Sequence, residues 1–249
     1  MSADQAPRSM TADLDDPATT ADRAQLLTRH GYLRALYASW YESLIAELPH
    51  VSGDVLELGS GGGFLRDLLP TVVTSDVMEV PGVDRVIDAR TLPFADGTLR
   101  AIVATNVLHH IPDIRAFLRE AARALAPGGR IVAIEPWPTP FSRVIYRTLH
   151  HEPFDMSRDW SLPPGGPLTA ANGALPWIVF ARDRLVFERE NPLLRVRRVA
   201  PCMPISYLAC GGIGRAWGLP AGMFRALRAL ERPFDGLGLF ALLSIERTA

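Results

Sequence analysis

The sequence predicts an α/β protein with one doubly wound, mostly parallel sheet. Short apolar runs alternate with amphipathic helical segments between residues 54 and 135, the pattern of a parallel sheet covered by helices on both faces. The first apolar run ends directly in glycines, as a strand does when it feeds a ligand-binding turn. A length of 249 residues fits one main domain. We therefore expect right-handed crossovers and a ligand at the carboxyl ends of the strands.

Seven runs are predicted as strands. The first, Asp54–Leu58, is short and mostly apolar, which suits a strand buried on both faces. Four further runs continue the alternation, namely Thr71–Ser75, Arg85–Ile87, Ala101–Thr105 and Arg130–Glu135. The late runs Leu193–Val199 and Leu239–Glu246 also have strand character, and we expect them to complete the sheet as an antiparallel pair at one edge.

Two segments carry clear helical periodicity. In Ala21–Leu48 the apolar residues recur at intervals of three and four, which predicts an amphipathic helix or a pair of helices. Pro112–Ala126 is predicted as a single helix that has its proline in the first turn and ends at the Pro-Gly-Gly sequence that follows. The whole chain then divides into a disordered tail (1–20), a helical cap (21–50), a ligand-binding core (51–136), a proline-interrupted lid insertion (137–192) and C-terminal strands and helices (193–249), with residues 21–249 forming one domain.

Composition and charge exclude several kinds of function. All 26 basic residues are arginines, so a Schiff-base lysine and the lysine of a phosphate-binding P-loop are both ruled out. The formal net charge of −1 gives no broad electrostatic reason to expect nucleic acid as a partner. The basic run of Arg195, Arg197 and Arg198 has strand spacing and is predicted to be a solvated sheet edge.

The termini and the cysteines predict a cytoplasmic protein. The first 20 residues are polar and acidic and contain no apolar stretch of the kind found in signal peptides. No apolar run approaches the roughly 18 residues that a membrane-spanning helix requires. Cys202 and Cys210 have no zinc or redox spacing, so we expect reduced thiols that serve packing.

The most informative motif is the glycine-rich sequence after the first strand. It has the spacing Glu57-x-Gly59-x-Gly61-x-Gly63, and Phe64 stands where a dinucleotide fingerprint requires its third glycine. Glycines at such a turn let backbone amides approach a ligand closely. An acid two residues before the first glycine would repel a pyrophosphate but would attract the ammonium of an amino acid.

Two further acids extend this site. Asp76 follows the second predicted strand and could accept both hydroxyls of a ribose, and Asp88 lies where it could accept the amine of an adenine. A ligand that combines adenine, ribose and a charged amino acid is S-adenosylmethionine. A tight glycine turn without any ligand remains the alternative interpretation.

Four motifs in order resemble the class I S-adenosylmethionine-dependent methyltransferases, in particular the branch with small, type-11-like catalytic domains. They are VLELGSGGG, TSDV, DARTLPFADGTLRAIVATNVLHHIPD and RALAPGGRIVAIEP, and they cover about a third of the chain. The resemblance implies a Rossmann-like, seven-stranded sheet whose last strand is antiparallel, with S-adenosylmethionine as cofactor. It assigns the methionine part of the cofactor to the glycine loop and the ribose to the acid after strand two. It assigns the adenine to the acid and alanine after strand three, and the sulfonium to the segment after strand four. The implied cofactor-binding residues are Glu57, Gly59, Ser60, Gly61, Asp76, Asp88, Ala89 and Asn106.

The function implied is methyl transfer to a small-molecule or lipid- or sugar-linked acceptor, with oxygen favoured over nitrogen or carbon. Two alternatives stay open, a noncatalytic S-adenosylmethionine-binding module and a nicotinamide-dependent oxidoreductase. The missing third glycine disfavours the oxidoreductase. The oligomeric state is not predicted.

Histidines are the first candidates for a base that deprotonates an acceptor hydroxyl. Four of the six form the pairs His109-His110 and His150-His151, and Glu152 follows the second pair as a possible orienting carboxylate. His110 and His151 are the predicted catalytic residues, although the Leu-His-His-Ile sequence of this family often only organises its loop. No metal is predicted, because the nearest acidic pair, Asp155 and Asp159, has the spacing of a solvated face.

The C-terminal segment suggests one further partner. Pro204–Phe240 is rich in leucine, glycine, alanine and aromatic residues and also contains several arginines. Such a segment could make a peripheral membrane contact, which would suit a lipid-linked acceptor.

Overall fold

The computed structural model of the protein describes residues 15–148, 152–210 and 219–249. One seven-stranded sheet runs through the molecule with the strand order β3-β2-β1-β4-β5-β7-β6. The first five strands pair in parallel and β7 is antiparallel to both of its neighbours, which confirms the predicted sheet. The strands are β1 (Asp54–Leu58), β2 (Val72–Asp76), β3 (Arg85–Val86), β4 (Leu99–Thr105), β5 (Leu125–Pro136), β6 (Leu194–Cys202) and β7 (Phe240–Arg247).

Nine α-helices are formed by the described residues, together with 3₁₀ turns at Leu108–His110 and Arg232–Leu237 and a π-helical turn at Ile178–Arg182. They are α1 (Pro17–Arg29), α2 (Gly31–Ala46), α3 (Leu65–Leu68), α4 (Ile114–Ala124), α5 (Pro140–Thr148), α6 (Leu175–Trp177), α7 (Arg184–Glu190), α8 (Ser206–Ala209) and α9 (Ala221–Glu231).

The N-terminal segment forms a pair of helices, which is one of the two alternatives predicted from the sequence. The predicted boundary at residue 20 is wrong, because Asp16 caps α1 by accepting a hydrogen bond from the backbone N–H of Ala18, and the helix begins at Pro17. Residues 1–14, which form the rest of the predicted tail, lie outside the described residues.

The ends of α4 also differ from the prediction. Asp113 caps this helix by accepting from the N–H of Ala116, so Pro112 precedes the helix and does not form its first turn. The helix ends at Ala124, before the Pro-Gly-Gly sequence, and β5 begins at the next residue. Gly128, at φ 78°, lies in the irregular start of that strand, where the pairing with β4 shifts register.

Both faces of the sheet are buried because side chains alternate along each strand. Leu56 of β1 packs with α4 and with the segment from Ala174 to Phe187 on one face. Val55, its neighbour in the strand, packs with α2 and with Phe224 of α9 on the other. The predicted lid therefore has two parts, since its C-terminal half covers the sheet while residues 165–168 line a cavity.

Three smaller predictions concern the edge and the surface. β6 is an edge strand on which Arg195, Arg197 and Arg198 are exposed, as predicted. Cys202 and Cys210 are free thiols, the first half-buried and the second buried. None of the described helices combines the length and apolar composition that a bilayer-spanning segment needs.

Candidate active site

A cavity of about 570 Å³ lies at the carboxyl ends of the central strands. β1 is flanked by β2 on one side and β4 on the other, so the strand order reverses at β1 and leaves a crevice between the loops that follow these strands. The volume falls within the roughly 300–1,000 Å³ typical of small-molecule sites. All eight residues assigned to the cofactor line this cavity, and so does His110; the eight are Glu57, Gly59, Ser60, Gly61, Asp76, Asp88, Ala89 and Asn106.

The glycine loop depends on its glycines for conformation and for space. Gly59 and Gly61 adopt φ of 62° and 47°, which an L side chain rarely does. A Cβ at Gly59 would also lie 2.5 Å from the side chain of Val107, in the segment after β4. The loop can therefore approach that segment closely only because this position carries no side chain.

Glu57 places a carboxyl group at the floor of the cavity. It is the fourth residue of β1, only 4% exposed, and it is hydrogen-bonded to the hydroxyl of Ser60. Burial raises the pKa of Glu57 to about 7, and the serine hydroxyl opposes this rise. Ser60 itself is tied to β2, since its N–H donates to the carbonyl of Ser75 and its Oγ accepts from the N–H of the same residue.

Asp76 connects the end of β2 with the glycine loop. Its Oδ2 accepts a hydrogen bond from the N–H of Gly61 at 3.0 Å, and its Oδ1 accepts from the N–H of Met78 at 3.0 Å. A carboxylate has about four lone-pair sites, so these bonds leave room for a ligand donor. Burial raises the pKa of Asp76, and hydrogen bonds from the backbone N–H groups of Met78, Gly61 and Val77 act against that rise.

Asp88 and Ala89 line the cavity after β3, and Asp88 has a partner that sequence reasoning missed. The guanidinium of Arg90 donates to both oxygens of Asp88, with Nη2 2.6 Å from Oδ2, and this pairing lowers the pKa of Asp88. The two residues are only two positions apart, and a sequence does not show whether side chains so close along the chain turn towards each other.

Asn106 adopts an uncommon conformation after β4. Its φ of 57° lies in the left-handed region, and its N–H donates to the carbonyl of Ile134 on β5. Its Oδ1 is buried and has no hydrogen-bond partner among the described residues. A buried oxygen without a partner at a cavity wall is a candidate for contact with a ligand.

His109, the other member of the predicted pair, is held by two carboxylates. It is 2% exposed, its Nδ1 is 2.6 Å from Oε2 of Glu135, and its Nε2 is 3.5 Å from Oε2 of Glu152. Glu135 is fully buried at the end of β5, and its Oε1 accepts from the N–H groups of Val107 and Leu108. Burial lowers the pKa of His109, but the two carboxylates outweigh burial and raise it to about 9. An acid at the end of a buried predicted strand was the signal that could have found this pair.

His110 lies beside His109 and lines the cavity. Their ring centroids are 4.1 Å apart, and burial together with the neighbouring imidazole lowers the pKa of His110 to about 3. Its Nδ1 is buried without a hydrogen-bond partner in the described parts of the chain. A group with this pKa is neutral at physiological pH and is a weak base, which disagrees with a simple general-base role. His151, the second predicted catalytic residue, lies outside the described residues.

Helix α1 contributes two polar residues that the sequence did not single out. Thr20 and Arg23 line the cavity. The Oγ1 of Thr20 is buried and unpartnered among the described residues, and Arg23 forms no ion pair with a described carboxylate. A Cβ at Gly62 would lie 2.5 Å from Ala24, so α1 lies directly against the glycine loop.

Sequence comparison gives this site a family. The family described as "Methyltransferase domain" matches residues 56–133. A ubiquinone/menaquinone biosynthesis C-methyltransferase UbiE of Desulfotalea psychrophila is 30% identical over 179 residues, which cover 70% of this chain and 68% of that protein. The chain belongs to the class I S-adenosylmethionine-dependent methyltransferases. A demethylmenaquinone methyltransferase of Mycolicibacterium vanbaalenii is 38% identical over 89 residues, 36% of each chain.

The methyltransferase fold is also shared with solved structures. A geranyl diphosphate methyltransferase in complex with S-adenosylmethionine superposes with a TM-score of 0.51 at 19% identity, covering 95% of this chain and 93% of that one. Membership of the methyltransferase family makes the chain an enzyme that uses S-adenosylmethionine, and the oxidoreductase and noncatalytic alternatives no longer apply. The cavity fits such a cofactor in two respects. Its buried acids suit a cationic ligand, and the side-chain oxygens of Thr20 and Asn106 lack hydrogen-bond partners within the described chain.

Proposed function

We propose that this methyltransferase methylates a ring carbon of a small hydroquinone or phenol. The observation that carries the proposal is the similarity to a quinone C-methyltransferase over 68% of that protein's length. The cavity supports it, because Tyr37, Tyr207 and Phe240 form an aromatic wall beside the residues assigned to the donor. Offset or edge-on contacts with such rings stabilise a flat aromatic acceptor. The proposed methyl-accepting atom is therefore carbon, although the sequence alone had favoured oxygen.

The donor is held by residues from five segments in this proposal. Glu57 accepts from the ammonium of the methionine part, while Thr20 and Arg23 of α1 bind its carboxylate. Asp76 accepts from the ribose hydroxyls, and Asp88 with Ala89 contacts the adenine. Asn106 lies beside the sulfonium. Two unpartnered buried oxygens and an arginine without an ion pair among the described residues support this arrangement.

The cap and the loop around residue 166 exclude water from the reacting groups. Asp15 accepts hydrogen bonds from the N–H groups of Leu168 and Thr169, and its Oδ2 accepts from the hydroxyl of Thr169 at 2.6 Å. The segment before α1 is thereby tied to the loop on the other side of the cavity. We propose that α1 and α2 close over the donor and residues 152–168 over the acceptor, which desolvates the nucleophile.

Methyl transfer depends more on activation of the acceptor than on covalent catalysis by the protein. S-adenosylmethionine supplies an electrophilic methyl group. The acceptor hydroxyl gives up its proton, the ring carbon bonds to the methyl carbon as the carbon–sulfur bond breaks, and the ring hydrogen then leaves as a proton while the oxygen is reprotonated. The net change is one proton released per methyl transferred. In this proposal the acceptor hydroxyl lies at the part of the cavity lined by His110 and Glu152, and the protein aligns ring carbon, methyl and sulfur.

Product analysis tests this function. The full chain is incubated with trideuteromethyl-labelled donor and 1,4-naphthohydroquinone, kept reduced, and the product is examined by mass spectrometry and by NMR. We expect one added labelled methyl group bonded to carbon. Glu57→Gln should abolish most of the product, while Glu79→Gln, which changes an exposed acid of the next loop, should not. A labelled methoxy product, or turnover of aliphatic alcohols only, would contradict the proposed acceptor.

A membrane surface is the proposed source of a lipid-linked acceptor. Large apolar side chains are exposed on and after α9, where Leu230 is 73% and Phe234 is 57% exposed. Met223 and Arg225 are also exposed on α9, and Arg232 is exposed in the turn that follows. Apolar groups that enter the headgroup region and arginines that attract anionic lipid together favour reversible binding to an anionic membrane.

A further inference from the structure

Three side chains with metal-ligating atoms meet at the wall of the cavity. The 3₁₀ turn Leu108–His110 brings two imidazole rings to 4.1 Å between centroids, with 41° between their planes. Glu152 reaches the same place from the loop after α5. One ligand atom from each of the three residues lies within 4.8 Å of the others. The described residues contain no second group of this kind.

The orientation of His109 matches that of a metal ligand. Its Nδ1 lies 2.6 Å from Glu135, and the other oxygen of that carboxylate is fixed by two backbone N–H groups. With Nδ1 donating to that carboxylate, Nε2 is the nitrogen that faces Glu152, and a metal ion would bind there in place of the Nε2 proton. A buried carboxylate behind a histidine in this manner is the usual outer partner of a metal-bound imidazole, because it fixes the tautomer and increases the basicity of the ring.

The distance between His109 and Glu152 also favours a bridging ion. Their Nε2 and Oε2 atoms are 3.5 Å apart. Direct N–H···O hydrogen bonds are commonly about 2.7–3.2 Å long. Two ligands on one tetrahedral zinc ion, each about 2.0–2.1 Å from the metal, are separated by about 3.3 Å. The pair is thus slightly long for a direct bond and close to the spacing of two ligands.

His110 supplies the third ligand. Its Nδ1 is buried and lacks a hydrogen-bond partner among the described residues, although buried ring nitrogens are normally satisfied. A metal ion would satisfy this atom. Glu135 and Glu152 would balance the two positive charges of such an ion.

We infer that His109, His110 and Glu152 bind a divalent transition-metal ion of the zinc type. Two imidazoles and one carboxylate suit Zn²⁺, Co²⁺ or Fe²⁺, whereas Mg²⁺ and Ca²⁺ prefer oxygen ligands throughout. Three protein ligands leave a coordination position for a fourth group, as in catalytic sites, and His109, His110 and Glu152 all line the cavity. The acidic pair considered from the sequence, Asp155 and Asp159, is exposed and is not part of this group.

The role of the ion rests on the proposed function. The oxygen of the acceptor hydroxyl would take the fourth position, where a divalent ion lowers the pKa of the hydroxyl and lets its proton leave to solvent. The metal site itself stands on the geometry of the three ligands and does not require this acceptor.

Titration with Co²⁺ tests the site. The untagged full chain, treated with chelator and then freed of it, is titrated while visible absorption is recorded. We expect one Co²⁺ per chain, with the absorption band of a four- or five-coordinate nitrogen and oxygen site. His110→Asn and Glu152→Gln should each weaken Co²⁺ binding by at least about tenfold, and Glu135→Gln by about 10- to 100-fold through loss of the outer carboxylate. His50→Gln, which alters an exposed histidine, is the matched control and should bind like the parent chain.

The outcomes separate the metal site from the proposed function. Each preparation is also titrated with S-adenosylhomocysteine by calorimetry, so that loss of the fold is recognised in any variant. A chain that binds this ligand but shows no site-specific Co²⁺ band, or a band that persists in both ligand variants, overturns the metal site. Co²⁺ binding as expected together with failure to methylate any hydroquinone leaves the metal site standing and overturns the acceptor assignment instead.

Discussion

Asp76 accepts a hydrogen bond from the backbone N–H of Gly61, with 3.0 Å between Oδ2 and the nitrogen. The acid at the end of β2 and the glycine loop after β1 therefore form one unit, although 15 residues separate them in sequence. Because the two strands are parallel neighbours, their carboxyl ends lie side by side and both loops line the same cavity.

Replacement of Asp76 by asparagine should weaken donor binding. Asparagine keeps the size of the side chain, but it has fewer acceptor sites and no charge for the ribose hydroxyls. We expect the Kd for S-adenosylmethionine to rise by about 10- to 100-fold, corresponding to the loss of one or two hydrogen bonds to a charged group. Calorimetry measures this change. Unchanged affinity in Asp76→Asn would remove this acid from the ribose site, and Glu79→Gln serves as the exposed control.

Donor affinity should depend on pH through Glu57. Burial raises the pKa of this carboxyl group to about 7, so in the unliganded protein it is neutral below that pH and ionised above it. Only the ionised form attracts the donor ammonium, and binding must therefore weaken as the pH falls. We expect the Kd to rise about tenfold between pH 8 and pH 6.

The variant Glu57→Gln separates this effect from other titrations. Its side chain carries no charge at any pH, so the affinity should be low and nearly constant over the same range. A slope as steep in Glu57→Gln as in the parent chain would show that another group controls donor binding.

Arg23 should contribute to binding of the methionine carboxylate and not to binding of the nucleoside. Arg23→Ala is expected to raise the Kd for S-adenosylhomocysteine by about tenfold, since an ion pair in a half-enclosed cavity is lost. The Kd for adenosine should not change. Arg29→Ala removes an exposed arginine from the same helix and is the matched control. Equal losses for both ligands would mean that Arg23 supports the cap and does not contact the carboxylate.

The apolar surface of α9 should bind anionic vesicles. Sedimentation with vesicles of phosphatidylglycerol and phosphatidylcholine is expected to bring down the parent chain at low salt and less of it at high salt. Leu230→Ser combined with Phe234→Ser should leave most of the protein in the supernatant without changing S-adenosylhomocysteine affinity. Complete recovery of the parent chain in the supernatant at low salt would contradict a membrane contact.

The donor side of the site could be predicted from sequence because its signals are local. A glycine loop that directly follows a buried strand is typical of a ligand-binding turn, and the acids at Asp76 and Asp88 fall at the ends of the next two strands. All seven strands were likewise predictable from short apolar runs, although β5 and β6 extend beyond their predicted ends. The predicted helix ends were less accurate. The start of α4 is set by the capping residue Asp113 and not by the nearby proline, and the capping hydrogen bond cannot be read from the sequence.

The other half of the site depends on contacts that distant residues make. His109 meets Glu135 across 26 residues, and Glu152 joins them from a loop whose path no local pattern predicts. Both adjacent histidines line the cavity, but only His109 lies between two carboxylates, and the sequence does not show which of the two makes these contacts. Thr20 and Arg23 belong to helix α1, which the sequence predicts only as part of an amphipathic cap. That this helix lies against the glycine loop is seen only in the structure.

Calorimetric titration of the full chain with S-adenosylmethionine, S-adenosylhomocysteine and NAD, with Glu57→Gln and Glu79→Gln measured beside it, shows whether the cavity binds the methyl donor through Glu57. We expect both adenosyl compounds to bind once per chain, NAD not to bind, and only Glu57→Gln to weaken the binding of S-adenosylmethionine. Binding of NAD with no binding of either adenosyl compound would contradict this expectation, and so would equal affinities for S-adenosylmethionine in both variants.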